Sequence, residues 1–260
     1  MKKTSFITGI VGTALLLIPL SLFAQDDKRA SLSDVWYIMP KAGMVAQFEA
    51  AAKAHLAFRR DAGDSRSWEA YSTALGSNPQ LYQWREGGLT WADMDAYIAE
   101  DAKNGYSENW QANVDQYVDH YHHYIEESEY ENSQWPADLP QRRYYGVTTW
   151  KINQGGGMEG YEARKELSKI GMENGWEENW LWQTRTGGPD VLMLVNELEN
   201  MAAMEPPEQS FFDFISEKSS PEKAAELFAQ FSKRYTDANF TIWAHRPDLS
   251  SQEMAGADDD

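Results

Sequence analysis

From residue 33 onward the chain carries one pattern twice, offset by about 110 residues. The first copy opens with DVWYIMP and the second with RYYGVTTWKI, both rich in the aromatic and β-branched residues that strands favour. Each run is followed by glycine: Gly43 in KAGM, then Gly155, Gly156 and Gly157 in QGGGM. Helical spacing comes next. Val45, Phe48, Ala52, Leu56 and Arg59 recur along one face of MVAQFEAAAKAHLAFRR, and Ala163, Leu167 and Ile170 along MEGYEARKELSKIGMENG. Paired strands follow in SRSWEAYSTALGSNPQLYQWRE and EENWLWQTRTGGPDVLMLVNE. Trp68 falls opposite Trp180, and Ser77-Asn78-Pro79 opposite Gly187-Gly188-Pro189. Asn, Gly and Pro between two apolar runs predict a hairpin in each copy, because they supply the backbone angles a tight turn needs.

Helical segments close each copy. TWADMDAYIAEDAKNG begins with the Thr90-x-x-Asp93 capping pattern. SENWQANVDQYVDHYHHYI, from Ser107, is matched with SPEKAAELFAQFSKRY, where Ser220 and Pro221 stand at the cap and first helical position. Leu227, Phe228, Phe231 and Tyr235 continue that second stripe. SQWPADLP in the first copy echoes TIWAHRPDLS in the second, a possible last short strand in each. The acidic, proline-containing stretch 127–143 reads as a linker between repeats at 31–126 and 144–250. The order strand, helix, strand, strand, helix, strand is ferredoxin-like. One face of such an antiparallel sheet is covered by helices and the other must find a partner. The fold class expected is therefore α+β: two tandem ferredoxin-like repeats whose antiparallel sheets face each other as an intramolecular pseudo-dimer.

On these hairpins and the helices before them, the chain resembles the dimeric α/β-barrel superfamily in its fused two-repeat form, over about residues 33–250. That superfamily includes antibiotic-biosynthesis-type monooxygenases, haem-degrading enzymes, chlorite-dismutase-like haem proteins, NIPSNAP-like proteins and stress-response proteins. The resemblance implies a ligand site between sheet and helices. It carries over no catalytic residue, since fold alone does not assign function.

The N-terminus has the layout of a secretory signal peptide at 1–24: Lys2 and Lys3, an apolar stretch over 6–23 broken by Pro19, then Ala24 before Gln25-Asp26-Asp27. It implies a periplasmic or secreted protein without stable membrane insertion after cleavage. The chain has no cysteine, so neither disulfides nor a lipoprotein anchor supports it. Loss of the leader leaves 21 basic against 41 acidic residues, a charge near −20. Such a surface repels nucleic acid and anionic membranes and draws cationic ligands. The tail at 251–260 is acidic and reads as disordered.

Three of the five histidines lie in VDQYVDHYHHYIEES. As a strand, His120 and His122 would share a face. As a helix, His120 and His123 share one and Glu127 joins them at i+7. The spacing of Trp110, Val114, Tyr117, Val118, Tyr121 and Ile125 selects the helix, ending in a solvated polar face near the negative pole of the dipole. His120, His123 and Glu127 form a candidate metal site, with His55 or His245 as further ligands. The spacing matches no specific zinc pattern, and one histidine as general base is the other chemical reading. Arg59 and Arg60 read as surface charge at a helix end. Gly155–157 lacks the spacing of a phosphate loop and reads as a place of close backbone approach.

Eleven Trp and thirteen Tyr make aromatic packing the other chemical resource. Trp36, Trp84, Trp150 and Trp182 fall in predicted strands and are the candidate lining of a pocket. The function expected is small-molecule binding, with a small apolar or aromatic partner and no cofactor specified, in a monomeric pseudo-dimer or homodimer. The alternatives are a cofactor-light monooxygenase-type oxidoreductase and a haem- or metal-binding protein.

Overall fold

The structure, a computed structural model, describes residues 29–251, so the signal segment and nearly all of the acidic tail lie outside the described residues. The first half runs β1 (Leu32–Pro40), α1 (Val45–Asp61), β2 (Glu69–Leu75), β3 (Tyr82–Leu89), α2 (Trp91–Asn104), α3 (Tyr106–Asn113) and β4 (Val118–Ser128). The second runs β5 (Tyr144–Ile152), α4 (Glu159–Asn174), β6 (Trp180–Thr186), β7 (Val191–Leu198), α5 (Phe211–Lys218), α6 (Pro221–Arg234) and β8 (Tyr235–His245). The eight strands close into one antiparallel barrel in the order β1-β3-β2-β8-β5-β7-β6-β4. The order is 4-1-3-2 in the first half and 8-5-7-6 in the second. The halves meet at two seams, β2 with β8 and β4 with β6. Two facing sheets were expected; the sheets are also joined edge to edge at these seams. Closure satisfies the backbone groups that each sheet's outer strands would otherwise leave unpaired.

Both hairpins form where the turn residues place them. Thr90 caps α2 in a full capping box with Asp93, and Ser220 caps α6 with Pro221 in its first turn. Gly156 packs on the end of α6, where a Cβ would stand 2.5 Å from the Arg234 Cα. Only a residue without a side chain allows that approach.

The histidine segment differs from expectation. The helix from Ser107 ends at Asn113, and Val118–Ser128 is the strand β4, paired with β1 and β6. Its true counterpart is β8, and that of α6 is the short α3. Helical spacing misled because α3 contributes Trp110 while the strand contributes Val118, Tyr121 and Ile125. β4 is only partly covered, so its polar residues blur the period-two signal. Arg59 also differs: it is buried against Asp64 and Tyr97, while Arg60 is exposed.

The barrel interior carries a polar network among apolar side chains such as Val35, Met193 and Trp243. Glu126 accepts from Tyr37 Oη (2.9 Å) and from Arg185 (3.0 Å), Gln83 donates to Tyr37, and Arg85 donates to Ser33. Burial, with Glu126 alongside, pushes the Tyr37 phenol far above its ordinary range. The apolar core lies on the outer, helix-covered side. In the first half Ile38, Trp68, Ala70, Tyr82 and Trp84 meet Phe48 and Ala52 of α1. Among the described residues no helix is long and apolar enough to cross a membrane.

Candidate functional site

Strand alternation puts Asp34, Trp36 and Ile38 of β1 on the helix-covered side, with Trp84 beside them on β3. Above them, α1 supplies Ala52, His55, Leu56 and Arg59, while α2 and α3 supply Met94, Tyr97, Ile98 and Trp110. The helices do not seal onto the sheet, and a cavity of about 440 Å³ remains. Its wall holds four tryptophans (36, 68, 84, 110) and three tyrosines (97, 106, 121). α2 contributes no fully buried residue and lies over the space as a loosely seated cover.

Two polar arrangements interrupt the aromatic wall. The first centres on Asp34, which is only 2% exposed. Its Oδ2 accepts from Arg66 (3.0 Å) and its Oδ1 lies 2.7 Å from Nε2 of His123. Glu86 is the second carboxylate on Arg66. A buried charge requires such partners. A carboxylate oxygen accepts, so Nε2 is the donor in this contact and Nδ1 is the ring nitrogen it leaves free. The imidazole stacks on Trp36 at 4.0 Å between ring centres and 9° between planes, with its side chain 41% exposed at the cavity. The second arrangement is a relay: Trp110 Nε1 donates to Tyr121 Oη (2.9 Å), which donates to Asp115 (2.6 Å). Burial and Asp115 both raise the Tyr121 phenol well above its ordinary range, so it stays a donor.

His55 is buried beside the cavity, its Nδ1 2.8 Å from Asn109 Oδ1. Burial pushes it down to about 4, against the Asn109 hydrogen bond, so it is neutral at pH 7.

The sequence candidates divide. Trp36 and Trp84 line the cavity. Trp150 and Trp182 lie in the second half, where they pack with Phe231 and Tyr235. His120 pairs with Asp119 at the surface, one residue out of phase with His123 along the strand. Glu127 is exposed further along β4. Strand geometry therefore separates His120 from His123, and among the described residues no group of three or more His, Cys, Asp or Glu could hold a metal ion. His55 lines the same cavity as His123 but is hydrogen-bonded to Asn109, and His245 lies near Ser250. Sequence reading missed Asp34, Trp110 and Tyr121 as site residues, and took His55 only as a further metal ligand. For Asp34 a signal existed: a lone acid inside an apolar strand must be paired.

The polar couple belongs to one half. In the β1–β4 register Asp34 lies opposite Ile125 and Trp36 opposite His123. The β5–β8 register sets Gly146 opposite Ile242 and Thr148 opposite Phe240. Phe240 packs so close over Gly146 that a Cβ there would lie 3.0 Å from its ring.

Fold and site together define a closed α+β barrel with a ligand-sized, aromatic cavity under the helices of one half. Solved structures of the same shape give that class its name. The chain is similar to a candidate monooxygenase from Lactobacillus acidophilus, with TM-score 0.51, 7% identity, and 86% of this chain and 97% of that one covered. A candidate monooxygenase from Fusobacterium nucleatum gives 0.51, 9% identity and coverages of 84% and 93%. A candidate chlorite dismutase gives 0.50, 12% identity and coverages of 88% and 99%. The chain has the dimeric α/β-barrel fold. No family model and no curated protein matches it.

The haem that some proteins of this fold carry does not fit these residues. Its propionates need cations at the mouth, which presents Asp101 and Asp115. The nearby buried cations are already matched, Arg59 by Asp64 and Arg66 by Asp34 and Glu86.

Proposed function

We propose that the protein binds a small organic molecule with an apolar or aromatic body in the first-half cavity and presents it to His123 as proton acceptor. The observation that carries this is the Asp34–His123 couple at the edge of an aromatic cavity large enough for such a molecule. Asp34 fixes the tautomer, Trp36 fixes the ring plane, and Nδ1 takes a proton from an acidic O–H or C–H of the ligand. The electron pair stays on the ligand as an anion that dioxygen can oxidise. This is the chemistry of a cofactor-light monooxygenase. Two fold neighbours are described as candidate monooxygenases, but at 7% and 9% identity they share the fold alone, and the reading rests on the site.

The matching strand orders of the two halves support a fused pseudo-dimer in which the first half carries the site. The leader-like N-terminus supports export to the periplasm or beyond, with the mature chain starting at Gln25. N-terminal sequencing of protein from the producing cell tests that start.

2-Naphthol tests the site. Its excited state is a strong acid and emits as naphtholate when a base lies within reach. The wild type should bind it, with quenching of tryptophan emission, and the bound probe should emit as naphtholate. His123→Phe keeps the stack on Trp36 and removes the base; its bound probe should emit as neutral naphthol. Gln111→Trp, at the exposed mouth, should block binding. Absence of binding to the wild type refutes the cavity as the site. Unchanged naphtholate emission in His123→Phe refutes the base.

A further inference from the structure

We infer that the ligand of this cavity is a cation: an organic ammonium with an apolar or aromatic body. The inference rests on the cavity reading above and adds the sign of the charge.

The two ends of the cavity differ in which ring faces are in use. At one end Arg59 and Arg66 already cover the rings: Arg66 lies 4.3 Å from Trp68 and 4.0 Å from Tyr97, and Arg59 lies 4.5 Å from Tyr106. Neither arginine covers Trp110 or Tyr121 at the other end, where Trp36 already stacks on His123. Aromatic faces attract cations, indole most strongly. The carboxylates complete the pattern. Asp115 sits beside Tyr121 and accepts its O–H. Asp101, also on the wall, accepts from the Ser107 N–H (2.7 Å) and O–H (2.6 Å). These donors are neutral groups, not cations, so the hydrogen bonds bring no positive charge to either acid.

An anion is the competing ligand. A neighbouring cavity of about 470 Å³ is lined by Arg59, Arg60 and Arg66. Asp64, Asp34 and Glu86 neutralise Arg59 and Arg66, so that space offers an anion little net attraction. The long-range field favours the cation as well: a mature charge near −20 concentrates cations at the surface and repels anions.

Calorimetric titration of the full mature chain with three probes of matched shape tests the sign. Phenyltrimethylammonium and tert-butylbenzene differ in charge and hardly in shape, and benzoate supplies the anion. The cation should bind at least about fivefold more tightly than its neutral isostere, and less tightly as salt is added. Asp115→Asn keeps an acceptor for Tyr121 and removes one charge. It should weaken the cation severalfold and leave tert-butylbenzene unchanged. Equal affinity for cation and isostere, or preference for benzoate, overturns the cation and leaves the cavity standing. No binding of any probe overturns the cavity reading and this one with it.

Discussion

Lowering the pH should strip stability from this protein through one buried imidazole. His55 is 4% exposed, and burial holds it neutral down to about pH 4, whereas in the unfolded chain it titrates near 6.5. The unfolded state therefore takes up the proton first as pH falls. The contribution is whole above about pH 6.5, declines between about 6.5 and 4, and is level below that. One proton over that window, at about 1.4 kcal/mol per pH unit, amounts to about 3 kcal/mol. The assay is urea unfolding across the window for the wild type and His55→Gln. Carboxylates titrate there too, but in both proteins, so the difference isolates His55. The wild type should lose about 3 kcal/mol more than the variant between the two ends. Parallel curves would refute the reasoning and mean that His55 reaches water or a compensating carboxylate in solution.

Three further consequences concern the barrel and its helices. Arg185→Leu leaves Glu126 buried with Tyr37 as its remaining partner, at a cost of about 3–5 kcal/mol in urea unfolding, and Glu126→Leu added to it should recover much of the loss. Gly156→Ala drives a Cβ against the Arg234 Cα and the Lys233 carbonyl, both backbone, and should cost about 1–3 kcal/mol by thermal unfolding. α2, with no fully buried residue, should exchange its amides at a lower free energy than α1, and Thr90→Ala should lower that by about 1 kcal/mol more in hydrogen-exchange mass spectrometry.

Local chemistry was legible wherever it was dense. The two turns, the Thr90 and Ser220 caps and the apolar stripes of α1 and α4 follow from residue types that leave little choice of conformation. The histidine strand was not legible: α3 is short, the turn at 115–117 carries no glycine or proline, and the strand's polar face mimics a solvated helix. The barrel's closure was also hidden, because it depends on β2 meeting β8 and β4 meeting β6 across more than a hundred and about sixty residues respectively. The site shared that fate. Trp36 and Trp84 stood out as aromatic strand residues, yet nothing local separates them from Trp150 and Trp182, which pack against Phe231 in the other half. Asp34 and His123, 89 positions apart, meet only through the β1–β4 register.

The account's central claim is that Asp34 holds His123 as a base facing the first-half cavity, and nitrogen-15 NMR of the histidine side chains tests it most directly. At neutral to mildly alkaline pH, His123 should show the Nε2–H form with an unprotonated Nδ1, and adding 2-naphthol should shift that Nδ1 resonance. Asp34→Asn should mix the two tautomers. An imidazole already mixed in the wild type, or an Nδ1 resonance indifferent to the probe while it binds, would contradict the claim.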